Sequence, residues 1–216
     1  MPFAPLGIHV LGPSTEFYRA LLPHFRETPT PAEKAGLFQR AATAVVEAAK
    51  WVAESWAIET LTDPPVDASS AENNTSVVLL VERDERLLLL TGDAGVPSLN
   101  EAASLAEARG YQLPSLRLMQ APHHGSRRNV GPTILNRILG PKYQGTESSK
   151  TIFVSAAKEG QPKHPSRKVV NAFQRRGAKD RVYATQGGMI RHHYEAPDRP
   201  GWTAATPLAF YEQVEE

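Results

Sequence analysis

The spacing of apolar residues changes at Ser76 of this 216-residue chain, and that change constrains the fold more than any other sequence feature. Beyond it, two runs rich in Val and Leu, at residues 76–82 and 87–91, predict a β-hairpin that turns at residues 83–85. Because both runs are almost continuously apolar, we expect them to be buried on both faces. Helix-like and strand-like segments then alternate, which is typical of an α/β layered domain. Further strands are predicted at 116–120, 151–155, 181–185, 189–194 and 208–212, and helices at 99–109, 132–139 and 165–176.

The segment before Ser76 has a different character. Residues 7–11 predict a short strand, and Ser14 or Thr15 caps a short helix that follows it. From residue 32 to about residue 60 the pattern predicts one long helix or two, because apolar residues recur every three or four positions. This stripe comprises Phe38, Ala41, Val45, Ala49, Val52 and Trp56. Residues 61–74 are polar and rich in proline, which predicts a surface loop.

Composition excludes several classes of protein. The absence of cysteine excludes disulfide scaffolds, Cys-type zinc fingers, thiol catalysis and iron–sulfur clusters. A formal net charge of +1 argues against coating nucleic acid by bulk electrostatics, but it allows a local basic site. The longest apolar run, residues 77–81, is far shorter than the ~20 residues that span a bilayer. Because the N-terminus also lacks a basic and apolar leader, we expect a soluble, cytoplasmic protein with no membrane partner.

Three polar clusters follow predicted buried strands. Asp93 follows the strand at 87–91, His123 and His124 follow the strand at 116–120, and His164 lies beyond the strand at 151–155. Ligands gather at the carboxyl ends of strands in α/β sheets, and carboxylate and imidazole groups suit zinc, manganese or iron. Taken singly, each cluster is equally compatible with a turn, a helix cap or a surface coincidence. Their joint occurrence at strand ends favours a site.

Four motifs in this order resemble the metallo-β-lactamase-fold hydrolases, and in particular the branch that includes the hydrolase domain of bacterial DNA-uptake (competence) channel proteins. The motifs are Asn73-Asn74 before the hairpin, Thr91-Gly92-Asp93, His123-His124-Gly125-Ser126 and His164-Pro165-Ser166. The resemblance covers residues 73–194 and, more weakly, residues 7–11. It implies an αββα sandwich, of which this chain would form the C-terminal half only, with a helical insertion and loop at residues 31–72.

The resemblance also implies roles for single residues. Asp93 matches the family's bridge between two divalent metal ions, and His164 matches a ligand of the second ion. His123, His124 and Ser126 match the group that faces the substrate phosphate or the metals. Asn74 matches a family asparagine to which the resemblance assigns no role.

Basic residues flank two of these motifs. Arg127 and Arg128 directly follow the second histidine motif, where they could hold a neighbouring phosphate or simply form a solvated loop. Lys163, Arg167 and Lys168 add positive charge around His164. This pattern favours affinity for phosphate and gives no indication of sequence-specific reading of nucleic acid.

One departure from the family limits what the chain does alone. The family's main metal motif, HxHxDH, is absent from the sequence. Residues 1–216 would then be the C-terminal part of a longer polypeptide, one subunit of a split hydrolase, or a degenerate member without metal. Retention of the other motifs favours the first two accounts. The expected partner is the missing N-terminal half of the fold, in the same polypeptide or in a separate subunit.

Two functions of different classes follow. The leading hypothesis is a metal-dependent hydrolase of phosphoesters, a nuclease or another phosphodiesterase, in which two zinc or manganese ions would supply hydroxide near neutral pH. Metal binding would be weak or absent in this chain alone. The alternative is a non-catalytic binding subunit with a vestigial metal site, which would hold a partner through the apolar stripe and exposed loops.

Overall fold

The computed structural model describes residues 6–26, 51–143, 148–156, 164–186 and 188–216. Short 3₁₀ turns occur at Leu22–His24, Leu113–Ser115 and Pro122–Gly125. The helices are α1 (Thr15–Leu21), α2 (Ala71–Asn74), α3 (Val96–Ala108), α4 (Pro132–Leu139) and α5 (Arg167–Phe173), which continues into a wider turn at Gln174–Ala178. The strands are β1 (Gly7–Gly12), β2 (Trp51–Ala53), β3 (Val78–Arg83), β4 (Arg86–Leu90), β5 (Leu118–Gln120), β6 (Thr151–Val154), β7 (Val182–Ala184) and β8 (Gln213–Glu215).

A mixed sheet of six strands organises the chain, in the order β1-β3-β4-β5-β6-β7. The first three strands are antiparallel, and the pairs from β4 to β7 are parallel. The predicted hairpin is confirmed, and its turn residues Asp84 and Glu85 both have positive φ, which matches the twist of a two-residue hairpin loop. A separate ribbon joins β2 to β8. The α/β class predicted from the sequence is therefore confirmed.

One face of the large sheet carries the core. Alternate strand residues on this face are at most 2 % exposed, and they share one apolar cluster with residues of α3, α4 and α5. The strand residues include Leu80, Leu89, Met119, Ile152 and Val182, and the helix residues include Leu99, Ile134, Val169 and Phe173. Burial of this kind stabilises a fold by roughly 25 cal/mol per Å² of apolar surface removed from water. The helices thus fix the parallel strands from one side.

The opposite face of the sheet is only partly covered. The β1–β3–β4 ladder aligns Ile8 with Val81, and Val10 with Leu79 and Leu90. On this face Ile8 is 58 % exposed and Val10 is 54 % exposed. The expectation that the hairpin strands are buried on both faces is also wrong for this face, because Leu79 and Val81 are only half-buried and Leu90 is 37 % exposed. The reason is that no helix of the described residues packs there, although the side chains are apolar.

The predicted helix at 32–60 needs correction where the structure can be compared with it. Residues 32–50, with most of the apolar stripe, lie outside the described residues. Residues 51–60 are not helical, since Trp51–Ala53 form β2 and the chain turns between Ser55 and Ile58. The spacing of apolar residues predicts a helix here, but buried ion pairs of Glu54 and Glu59 determine the path of residues 54–59.

Two arginines at the end of α5 make those ion pairs. Arg175 and Arg176 are each 1 % exposed. Arg175 Nη1 lies 2.5 Å from Oε1 of Glu54, and the Arg176 guanidinium donates to both carboxylate oxygens of Glu59 at 2.6 and 3.1 Å. Arg175 also donates to the main-chain carbonyls of Trp56, Ser55 and Ile58. Because these donors are satisfied, the buried charges fasten residues 54–59 to α5.

Other predicted elements are confirmed or shifted. The strand at 7–11 and the helices at 15–22, 99–109 and 132–139 are present with small changes of boundary. The strand predicted at 189–194 is absent; that segment is irregular, and Met189 is 83 % exposed. The strand predicted at 208–212 begins later, at Gln213, where it pairs with β2. Within the described ranges, no helix is long and apolar enough to cross a membrane.

Glu54→Gln should strongly destabilise the fold, because it leaves the buried Arg175 without its charge partner. We expect a loss of about 3 kcal/mol in the free energy of unfolding, measured by urea denaturation. The matched control is Glu107→Gln, which breaks the exposed pair with Arg137 and should have a much smaller effect. Equal losses in the two variants would contradict a structural role for the buried pair.

Candidate functional site

The turn after β4 presents Asp93 at the carboxyl edge of the sheet. Thr91 is fully buried, and its hydroxyl donates to the main-chain carbonyl of Gln120 at 2.9 Å. Gly92 has φ +53°, and a Cβ there would lie 3.1 Å from Cβ of Ser76, so both the conformation and the space favour glycine. The main-chain N–H of Asp93 donates to Oγ of Ser76 at 3.0 Å. These contacts hold the turn while the Asp93 side chain stays 46 % exposed.

The turn after β5 has an unusual backbone. His123, His124 and Gly125 all have positive φ, at 43°, 58° and 77°. For residues other than glycine this conformation costs of order 1–3 kcal/mol each, and such strain concentrates at functional sites. Main-chain bonds hold the turn: His123 N–H donates to Gly92 O at 3.0 Å, and Ser126 N–H donates to His123 O at 3.1 Å.

The third motif packs directly on the second. A Cβ at Gly125 would lie 2.8 Å from Cβ of Pro165, and the main-chain N–H of Ser166 donates to Gly125 O at 3.0 Å. This contact brings His164 beside His123, with 6.1 Å between the ring centroids. The predicted convergence of the three histidines is therefore observed, since the centroids of His123 and His124 are 5.7 Å apart.

Hydrogen bonds orient the two adjacent imidazole rings. Nδ1 of His124 lies 2.7 Å from the main-chain carbonyl oxygen of Ser155. A carbonyl oxygen only accepts, so Nδ1 carries the proton and Nε2 keeps its lone pair in the neutral ring. Nδ1 of His123 lies 3.1 Å from Nδ2 of Asn73 and 3.9 Å from Oδ2 of Asp93. With the Asn73 amide donating, Nδ1 of His123 accepts and its Nε2 carries the proton.

The remaining predicted residues have diverse surroundings. Ser126 is 4 % exposed, and its hydroxyl accepts from the main-chain N–H of Arg128, so it supports the turn. Asn74 is buried, and its Oδ1 accepts from the N–H of Gly95 at the start of α3, which gives this residue a structural role. Arg127 and Arg128 are exposed beside the histidine turn. Lys163 lies outside the described residues.

Sequence reasoning missed three residues that support the site. In the sequence Asn73 stands only as part of a motif, whereas in the structure its amide contacts Nδ1 of His123. Asn129 is 2 % exposed, and its amide donates to Asp93 O at 3.0 Å, which ties two of the turns together. Glu215 of β8 accepts hydrogen bonds from the Ser166 hydroxyl and from the N–H of Arg167. Asn129 directly follows Arg127 and Arg128 in the sequence, close to the histidine motif. Glu215 lies about 50 positions from Ser166, and no motif near it indicates this contact.

The segment that carries Asn73 is tied to the chain that follows α1. The neighbouring residue, Glu72, accepts hydrogen bonds from the main-chain N–H and the guanidinium of Arg26. The bond from the Arg26 main-chain N–H is the main cause that lowers the pKa of Glu72 to about 2. Glu72 therefore keeps its charge below the pH at which an ordinary glutamate protonates, and its contacts connect α2 with the chain that follows α1.

The expected metal ligands do not form a metal centre by themselves. Carboxylate and imidazole donors are the right types for zinc or manganese. Among the residues that the structure describes, however, no three His, Asp or Glu side chains lie close enough to hold one ion. A catalytic zinc needs about three protein ligands, so Asp93 and His164 are too few in this arrangement. The described residues thus do not fit the two-metal site that the resemblance implies.

Comparisons with known proteins find distant similarity. Two curated proteins are similar to parts of the chain. ComE operon protein 3 of Bacillus subtilis (strain 168) is 27% identical over 135 residues, which is 61% of this chain and 15% of that protein. The uncharacterized protein YcaI of Escherichia coli (strain K12) is 30% identical over 105 residues, which is 49% of this chain and 12% of that protein. The matches thus span a small part of each relative. No family model and no solved structure matches the chain.

Asn73→Asp should reverse the tautomer of His123, because a carboxylate only accepts hydrogen bonds and would draw the proton to Nδ1. Side-chain ¹⁵N NMR at fixed pH measures this directly. The tautomer of His124 is an internal control and should not change, since Ser155 O remains its acceptor. If His123 already carries its proton on Nδ1 in the unaltered chain, the assigned role of Asn73 is wrong.

Proposed function

We propose that this chain is the C-terminal part of a phosphoester hydrolase, related to the DNA-uptake branch of the metallo-β-lactamase-fold enzymes. The observation that carries the proposal is the convergence of Asp93, His123, His124 and His164 at one edge of the sheet, where His123 and His124 have a left-handed backbone. The distant similarity to ComE operon protein 3 agrees with that branch. The αββα sandwich and the nuclease activity are parts of this proposal.

The two adjacent histidines have complementary roles in it. Nε2 of His124 has a lone pair that accepts a proton or another electrophile, because Ser155 O holds the proton of this ring on Nδ1. Nε2 of His123 carries an N–H that donates to a phosphate oxygen. Such a pair suits general acid–base chemistry on a phosphoester. Asp93 stands 3.9 Å from His123 and supplies negative charge beside it.

A further segment must complete the site if the hydrolase depends on metal ions. The described residues bring no group of three ligands together. We propose that most ligands come from an N-terminal half, in the same longer protein or in another subunit. The relatives support this, since each is several times longer than its match to this chain.

The exposed face of the sheet fits a contact with that half. Ile8, Val10 and Leu90 are at least 37 % exposed and lie together on the β1–β3–β4 ladder. Apolar side chains grouped on one surface favour burial against another protein layer. Covering this face with a second sheet would produce the sandwich that the resemblance implies.

A non-catalytic binding subunit is the second candidate. The observation that favours it is the lack of a three-ligand group among the described residues. In this case the histidine turns would persist as structural elements, and the apolar sheet face would hold the partner. Metal content of the completed assembly separates the two candidates, because only the hydrolase needs bound ions.

The chain alone should bind little metal and hydrolyse little phosphodiester. We expect both properties to rise when it is co-expressed with a segment that carries HxHxDH. Metal analysis and hydrolysis of bis-p-nitrophenyl phosphate measure the two effects. Stoichiometric, tightly bound metal and rapid turnover by the chain alone would contradict the need for a second half.

In the completed assembly, Asp93→Asn should lower metal content and rate together, because it removes the negative charge that attracts cations. His124→Ala should lower the rate by about 10²-fold or more while leaving more of the metal bound. His193→Ala is the control, since this histidine is exposed and belongs to none of the three motifs. If Asp93→Asn keeps full metal content and full rate, Asp93 does not hold metal ions and only forms the turn.

A further inference from the structure

The β2–β8 ribbon contacts both ends of α5. At the carboxyl-terminal end, Glu54, which directly follows β2, binds Arg175. At the amino-terminal end, Glu215 of β8 accepts from the main-chain N–H of Arg167 at 3.2 Å. The guanidinium of Arg167 also donates to the main-chain carbonyl oxygen of Gln213 at 3.1 Å. The ribbon is therefore fastened to α5 at the end that directly follows the third histidine motif.

Glu215 provides the cap that this helix otherwise lacks. Ser166 is the N-cap residue of α5, but its side chain accepts no hydrogen bond from an N–H of the helix. Its hydroxyl donates to one carboxylate oxygen of Glu215, and the other oxygen accepts from the Arg167 N–H. A serine at this position ordinarily accepts a hydrogen bond from the first turn of its own helix. Here a residue from a distant part of the chain takes that role.

The same serine joins the third turn to the second. Ser166 is 3 % exposed, and its main-chain N–H donates to Gly125 O at 3.0 Å. Removal of the Glu215 side chain would leave the Ser166 hydroxyl and the Arg167 N–H without their acceptor. A buried donor without an acceptor is costly. We therefore expect the third turn to rearrange when this acceptor is lost.

Pairing with β2 fixes the position of Glu215. Its neighbour Val214 is fully buried and aligns with Val52 of β2. The main-chain N–H of Glu54 donates to Glu212 O at 3.0 Å, which extends the contact between the two segments. Because Glu54 is itself held by a buried ion pair, the ribbon presents the Glu215 carboxylate from an anchored support.

The residue after β8 contacts the second turn. The guanidinium of Arg127, which follows the second histidine motif, donates to a main-chain oxygen of Glu216. Glu215 and Glu216 thus lie against the third and the second turn, respectively. Two consecutive residues therefore bridge the turns that carry the histidines.

We propose that Glu215 is a positioning residue, which fixes the third turn against the second and thereby sets the separation of the His164 and His123 imidazoles. Its effect on catalysis rests on the proposed function and deepens it, whereas its effect on the two rings is measurable in this chain alone. Both contacts of Glu215 come from neutral donors, a hydroxyl and a main-chain N–H. The role therefore depends on the reach of the side chain and not on its charge.

The test is the ¹H–¹³C correlation spectrum of the histidine ring C–H groups in the full 216-residue chain at fixed pH. Glu215→Ala removes the acceptors and Glu215→Asp is one methylene too short, so both should shift the signals of His164 and His123. Glu215→Gln has the original length, and its amide accepts from the Arg167 N–H and donates to the Ser166 hydroxyl. This variant should therefore keep the signals close to their unaltered positions.

Two controls accompany these variants. Glu212→Ala removes an exposed carboxylate from the chain beside the same ribbon and should shift neither signal. The signal of His9 in β1 should stay unchanged in every variant, because β1 lies at the far end of the sheet order. Unchanged His164 signals in Glu215→Ala would overturn the positioning role. So would equal shifts in Glu215→Gln and Glu215→Ala, or shifts of His9 as large as those of His164.

Kinetics of the completed assembly measure the effect on catalysis. Glu215→Ala should lower kcat about tenfold or more with little change in KM, because small displacements of catalytic groups slow the chemical step. Glu215→Gln should restore most of this loss, which a charge-dependent role would not allow. Shifted ring signals together with no hydrolysis by the unaltered assembly would support the positioning role and contradict the proposed hydrolase. The two ideas therefore fail separately.

Discussion

The candidate site depends on main-chain hydrogen bonds that fasten three turns to one another. His123 N–H binds Gly92 O, and Ser166 N–H binds Gly125 O, so each turn rests on a glycine of the preceding one. A Cβ at Gly125 would clash with Pro165, and a Cβ at Gly92 would lie 3.1 Å from Cβ of Ser76, which is tighter than an ordinary contact. The imidazoles converge because the backbone packs this closely, and the left-handed conformation of the histidines is the cost of that packing.

A second constraint comes from buried charge. Arg175 and Arg176 fasten residues 54–59 to α5, and the chain continues from there into an irregular segment that begins at Leu61. Buried ion pairs contribute little net stability against apolar substitutes, but losing one partner is costly. Here they determine the path of a segment that lacks regular structure.

The sequence predicted what depends on local pattern. Val and Leu spacing located the hairpin, and strand ends located Asp93, His123 and His164, because parallel strands end at a common edge. The path of residues 51–60 could not be predicted, since Arg175 lies about 120 positions away from its partner Glu54. The contacts of Asn73 with His123 and of Glu215 with Ser166 could not be predicted either, because the partners lie about 50 positions apart. Whether metal binds stays a prediction, because the described residues bring too few ligands together.

The asymmetry of the large sheet has a further consequence. At the β7 edge, Leu208 N–H already bonds to Val182 O, whereas β1 pairs on one side only within the described residues. A strand with an unpaired edge is a template for another strand, which here would lie next to Ile8 and Val10. Within the described residues, the β1 edge of the sheet is therefore more open to an additional strand than the β7 edge. A strand added at β1 would extend the antiparallel end and leave the parallel strands that carry the histidine turns undisturbed.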